Sequence, residues 1–361
     1  MHCDWKANWQ ETQSHLEAWW KRNGLVVSVG SHPRTPPRPC PAPPPLPAAI
    51  AERYTDAEAR ALRNHYSLAL HDFPGDSLPI ASTDIGPGSL ALFLGSEPGF
   101  APQTVWFEPS IQAVADPETL PPLTFDPASR WWQVTEATCR ACAELGRGHY
   151  LTGCPDLIEN IDILSALRDP QTLMIDMIER PDWVEAKVWE INQAFFEAYQ
   201  RIYDIIKLPD GSSCFGAFSL WGPGKTVKVQ CDAAAMFSPA MFDRFVVPAL
   251  TAQCAWLDCS MFHLDGTQCI DKLDSLLAIE PLDAIEWTPQ AGIEGGGHPR
   301  WFELYRRILN GGKAVQIIGV QTRELRPLLD AIGTRGVYIT MWPQTRDEAQ
   351  AALDTVAAYR Y

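Results

Sequence analysis

From about residue 78 onward, short apolar runs alternate with longer stretches of helical periodicity. The apolar runs fall at 78–83, 149–153, 214–220, 228–231, 260–264, 283–288, 313–319 and 337–341. Helical spacing recurs at 156–167, 181–206, 239–257, 268–279, 299–309, 323–332 and 346–359. Strands separated by helices need crossover connections, which predict a parallel sheet with helices on its outer face. Eight such runs predict an α/β fold closed as a (β/α)8 TIM barrel over residues 78–361. A doubly wound open sheet is the competing topology, but no G-x-G-x-x-G follows the first run.

Residues 1–77 have a different texture and predict an N-terminal helical extension. A Trp-rich helix is expected at 5–23, an apolar run that could be a strand at 25–29, and a helix from Thr55 to about His71. Between them, nine prolines lie from Pro33 to Pro47. Proline fixes φ and removes a backbone donor, so 33–47 predicts an extended connector outside any core.

Composition narrows the function classes. The chain has 361 residues, 46% hydrophobic and 20% charged, enough for one large core. A net charge of -15 disfavours nucleic acid and anionic membrane surfaces as partners. No secretory leader or membrane-spanning run is evident, and the ten cysteines are scattered. The expectation is a cytoplasmic protein with reduced thiols.

In a barrel the site forms where strands end. Polar or aromatic residues at the expected strand ends are Asp84, Asp156, Trp221, Asp232, His263 with Asp265, Glu286 with Gln290, Gln321 and Met341. Five of these are acids, and buried carboxylates are costly unless paired or ligating. His263 and Asp265 lie two apart in Cys259-Ser-Met-Phe-His-Leu-Asp-Gly266, so a strand puts them on one face. They can bind a metal or relay a proton; a histidine bonded to its neighbour at a strand end is the plainer account. Trp106, Trp221 and Trp287 are candidate pocket walls, and Glu286 and Gln290 candidate substrate contacts. Cys139-Arg-Ala-Cys142 lacks a second ligand pair, and Gly295-Gly-Gly297 lacks the Lys-Ser or Lys-Thr of a phosphate loop.

At several of these residues the chain resembles the uroporphyrinogen decarboxylase superfamily, which includes corrinoid-dependent methyltransferases. The similar stretches are Ser82-Thr-Asp-Ile-Gly-Pro-Gly-Ser-Leu-Ala, Gly153-Cys-Pro-Asp-Leu-Ile-Glu-Asn-Ile-Asp, Val229-Gln-Cys-Asp232, Phe262-His-Leu-Asp-Gly266 and Leu282-Asp-Ala-Ile-Glu-Trp287. The resemblance implies a (β/α)8 barrel and places Asp84 at the family's catalytic aspartate. Other decarboxylase features are absent. The N-terminal arginine-rich segment reads Trp19-Trp-Lys-Arg-Asn-Gly, the expected tyrosine falls near Ile161 or Asp162, and the C-terminal histidine is missing from Val337-Tyr-Ile-Thr-Met341. The methyltransferases hold zinc with His-x-Cys-Gly and a later cysteine; here the motif is His263-Leu-Asp-Gly266, and the later position falls near Met341.

The resemblance therefore implies metal-assisted methyl or alkyl transfer on a small polar substrate. His263, Asp265 and Glu286 would hold a divalent metal, with zinc the first choice, and Asp232 would orient the substrate or move its protons. A corrinoid, if used, would arrive on a separate carrier protein, and a homodimer is the candidate assembly. A decarboxylase using Asp84 and a non-catalytic binding barrel are the alternatives.

Overall fold

The computed structural model describes residues 3–102 and 104–360. Its centre is a six-stranded parallel sheet in the order Leu25–Ser28, Val337–Thr340, Ala314–Ile318, Ala284–Thr288, Cys259–Asp265, Thr226–Gln230. Nearly every residue of these strands is buried, as expected where helices cover a parallel sheet. Each strand from 226 to 340 lies beside its predecessor in the chain, with helical segments between them.

Two further strands, Ile80–Ala81 and Leu151–Thr152, pair in parallel, and Cys154 bridges onward to Phe215. These pieces curl the sheet towards closure. On one side, Asp76 N–H donates to Val27 C=O (2.9 Å) and Val29 N–H to Ser77 Oγ (3.0 Å). On the other, Thr226 N–H donates to Ser213 Oγ (3.1 Å). Regular ladders do not span either junction, so the sheet is barrel-like rather than one continuous ring.

The N-terminal region is not the separate helical extension expected at 1–77. Leu25–Ser28 is an integral strand, parallel to the last strand, because its four residues are buried and have no apolar surface to share except the sheet. The helix Trp9–Trp20 buries Trp9, Leu16, Trp19 and Trp20 on one stripe. Trp19 Nε1 donates to Val315 C=O (3.3 Å) and Trp20 Nε1 to Trp221 C=O (2.9 Å), so the helix seals the underside of the sheet. Residues 34–47 carry no regular structure and lie outside the sheet, tied by Arg34 N–H to Leu70 C=O and Arg38 N–H to Ala69 C=O.

The run expected as one strand at 214–220 is instead an antiparallel hairpin, Ser213–Phe215 with Leu220–Gly222. The chain reverses through Gly216–Ser219, where Ser219 has φ +52°. The stretch 239–257 divides into Pro239–Phe245 and Val247–Trp256, as Pro248 cannot donate to the preceding turn. Among the described residues, no helix is long and apolar enough to cross a membrane. All ten cysteines are free thiols, nine of them buried.

Asp76 ties both termini to the sheet. It accepts from Val27 N–H and Arg360 and pairs with His15 Nδ1 at 2.8 Å, while wholly buried. Desolvation alone would raise its pKa; the His15 bond and the Arg360 charge outweigh it and hold the pKa below the ordinary 3.8. Its stabilisation is therefore complete above about pH 3.8 and is lost as pH falls through the lower folded value. Asp76→Asn should cost about 3–5 kcal/mol in urea unfolding at pH 7, and the gap to wild type should narrow in acid. A gap that persists unchanged at low pH would contradict this role.

Candidate functional site

The parallel register sets the site. Gln230, His263, Glu286, Gln316 and Tyr338 are partners in one row across five neighbouring strands. In-register residues share a face, so five polar groups point inward together. The alternate residues face the helices: Phe262 meets Phe242 edge-on, and Trp287 packs on Trp301 at 4.9 Å. Trp287 is thus a packing residue on the outer face and not the pocket wall expected at a strand end.

Glu286 is fully buried. One carboxylate oxygen pairs with His263 Nδ1, and the other accepts from Thr288 Oγ1 at 2.7 Å. Desolvation pulls the His263 pKa down, but the Glu286 bond and charge win, and it lies above the ordinary 6.5. With Nδ1 committed to Glu286, Nε2 is the ring nitrogen left free to take a ligand. The candidate ligand atoms of Asp232, His263 and Asp265 all lie within 4.8 Å of one another. The expected trio of His263, Asp265 and Glu286 is therefore rearranged: Glu286 orients the imidazole, and Asp232 takes the third place. Asp265 ends its strand just before Gly266, whose φ of +76° turns the chain sharply away.

A second polar layer supports Asp232. The Asp162 carboxylate accepts from Asp232 N–H (2.8 Å), Ala233 N–H (2.9 Å) and Gln230 Nε2 (3.2 Å). Asp232 is open to the cleft, yet desolvation and the Asp162 charge push its pKa up to about 6. Lys228, 1% exposed, pairs with Asp156 at 2.9 and 3.0 Å and reaches Gln230 Oε1. Sequence reasoning missed Lys228 as an interior cation, because a strand-start lysine reads as exposed. Its signal was the alternation in Thr-Val-Lys-Val-Gln, which puts Lys228 and Gln230 on the face that His263 shares. The connecting segment carries positive φ at Ile158 (+53°) and Asn160 (+52°), a strain that packing must hold in place.

The remaining predicted residues scatter. Asp84 is half-buried; its carboxylate accepts from Asp156 N–H and Ser82 Oγ, while Arg60 donates to its backbone C=O. Burial, together with the nearby Asp156 charge, raises its pKa against the pull of those hydrogen bonds. It lies on the Asp156 side of the network and does not join the trio. Trp106 is exposed on the hairpin Glu97–Phe100 with Val105–Glu108, bonded to Glu108. Trp221 is buried edge-on against Trp9, under the sheet. Gln290 clamps Thr267 through its backbone N–H (2.8 Å) and Oγ1 (2.9 Å), so it fixes the loop after Asp265. Beside Asp232 runs an apolar groove of about 470 Å³, lined by Phe107, Ile158 and Met236 among others.

Comparison with solved structures finds the same architecture in a methyltransferase from Methanosarcina mazei. The two superpose with a TM-score of 0.58 at 14% identity, covering 96% of this chain and 98% of that one. At that identity the likeness shows the fold. No family model matches the sequence, and no curated protein does.

Glu159 offers a clean electrostatic test of the second layer. It is buried, with one oxygen accepting Gln230 N–H at 2.6 Å and the other without a partner. Burial pushes its pKa from 4.5 up to about 8, despite the Lys228 charge. The folded state thus holds a proton that the unfolded chain releases, so this group's contribution to stability falls as pH rises from about 4.5 to about 8. Glu159→Gln should remove that slope, at most about 1.4 kcal/mol per pH unit. Urea unfolding at pH 5, 7 and 9 should show the variant gaining on wild type; a constant difference would contradict the assignment.

Proposed function

We propose that the protein is a barrel enzyme that transfers a methyl or alkyl group on a small polar substrate, using a divalent cation held by Asp232, His263 and Asp265. The convergence of those three groups carries the reading. One imidazole nitrogen and two carboxylates fit a zinc-type site with an open position, whereas the thiolate set implied by the family resemblance has no counterpart at Asp265. A cation there would supply Lewis acidity to a thiol or hydroxyl. The methyltransferase likeness supports the choice of reaction at a coarse level.

The chain's own residues have definite tasks in this reading. Glu286 holds the Nδ1 proton of His263 and so presents Nε2 as a neutral donor. Thr288 fixes Glu286, and Asp162 fixes the backbone of Asp232. Gln290 pins the loop that follows Asp265. Lys228 and Gln230 form the polar floor beneath, where they could orient a substrate oxygen. A corrinoid, if it is the methyl donor, would be brought by a separate carrier protein. A decarboxylase built on Asp84 is less well supported, because that carboxylate is already occupied by Asp156 N–H and Ser82.

Metal titration with zinc and cobalt, with methyl transfer as a second readout, tests the proposal. The purified protein should take up one divalent ion. His263→Ala should abolish uptake and activity; its circular dichroism spectrum should stay native, with unfolding shifted to lower urea because Glu286 loses its partner. Glu286→Gln should weaken affinity by about 10–100-fold, the usual effect of losing an orienting partner. Wild-type protein that takes up no divalent ion, or full uptake by His263→Ala, would overturn it.

A further inference from the structure

The same sheet edge carries a second cavity, of about 440 Å³. Because the strands are parallel, their C-terminal ends share one side. The cluster occupies the end near Asp232, His263 and Asp265; the cavity occupies the other end, beside Ser28, Ile80, Ile318 and Thr340. No aspartate, glutamate, lysine or arginine is among its lining residues. This contrasts sharply with the acid-rich half next to it, in a chain of net charge -15.

Phe218 stands where the two halves meet. It lines the cavity, and its ring lies 4.9 Å from the His263 ring, centroid to centroid. Its backbone is held from inside. Gln316 Nε2 donates to Phe218 C=O and Tyr338 Oη to Ser219 C=O, each at 2.9 Å. Both donors belong to the His263 row, and they hold Ser219 at its positive φ. Gln316 is fully buried, bonds two lining residues (Phe218 and Thr340), and leaves its own Oε1 without a partner. The polar residues of the lining, Ser28, Ser77, Thr340 and Gln344 among them, carry neutral hydroxyl and amide groups, which pair with a hydroxyl or amide on a ligand.

We infer that this cavity is the chamber for the organic substrate, and that it takes an uncharged molecule with an apolar body and a hydroxyl or amide donor. The inference rests on the cluster being the reaction centre. An ion of either sign entering the chamber would lose water without meeting a charged side chain in its lining.

The test uses one skeleton in three charge states: 2-phenylethanol, phenylacetate and 2-phenylethylammonium. Each is titrated calorimetrically into the full-length protein as purified. The alcohol should bind about ten-fold or more tightly than either ion. Ala217 is an exposed lining residue. Ala217→Trp should fill the chamber and weaken the alcohol about ten-fold, with zinc uptake unchanged; Ala217→Leu, a milder filling, should show the same direction. The inference falls if either ion binds as well as the alcohol, if none of the three binds, or if both Ala217 variants bind the alcohol as wild type does. Alcohol binding by a protein that takes up no divalent ion would leave the chamber standing and remove the metal reading alone.

Discussion

A carboxylate with no solvent exposure, set in the middle of a parallel sheet, is the constraint around which this molecule is arranged. Glu286 could not be tolerated there alone, since an unpaired buried charge costs several kcal/mol. It is satisfied on both oxygens, by His263 Nδ1 and Thr288 Oγ1. The register that aligns residue 263 with residue 286 is the same register that aligns every strand from 226 to 340. A slip of one residue would turn His263 outward and bring Phe262 in. Fold and candidate site are therefore set by one pairing pattern, and the imidazole cannot rotate without stranding a buried charge.

Much of the fold was legible because burial on both faces of a parallel strand produces apolar runs, and crossovers produce helical spacing between them. The His263 and Asp265 pair was legible for a related reason: polar residues two apart in an apolar run are conspicuous. What the pattern could not show was parity relative to a distant neighbour. Trp287 sits one residue from Glu286 but on the opposite face, and only the partner Trp301 reveals which side that is. The same limit hid Lys228, whose ammonium is sheltered by Asp156 from seventy-odd residues earlier in the chain. A strand at 214–220 was expected from composition alone, yet the chain folds back through Gly216–Ser219 because Gln316 and Tyr338 reward the turn. Leu25–Ser28 was readable as a strand, but its place beside the last strand depends on the helix Trp9–Trp20 sealing the underside.

The sheet edge divides by charge. One half gathers Asp232, His263 and Asp265 over a buried network of Asp156, Lys228, Gln230, Glu159 and Asp162. The other has no charged side chain in its lining and meets the first at Phe218. In the proposed reading, one region would hold polarising groups in fixed positions while the other would select a substrate by shape and hydrogen bonding.

The central claim is that Glu286 holds Nδ1 of His263 so that Nε2 faces Asp232 and Asp265 as a ligand. Nitrogen NMR of the His263 ring, with and without zinc, tests it most directly. The account predicts that zinc shifts Nε2 while Nδ1 keeps its proton and its bond to Glu286. A ring whose two nitrogens are unmoved by zinc, or one that loses the Nδ1 proton instead, would contradict it.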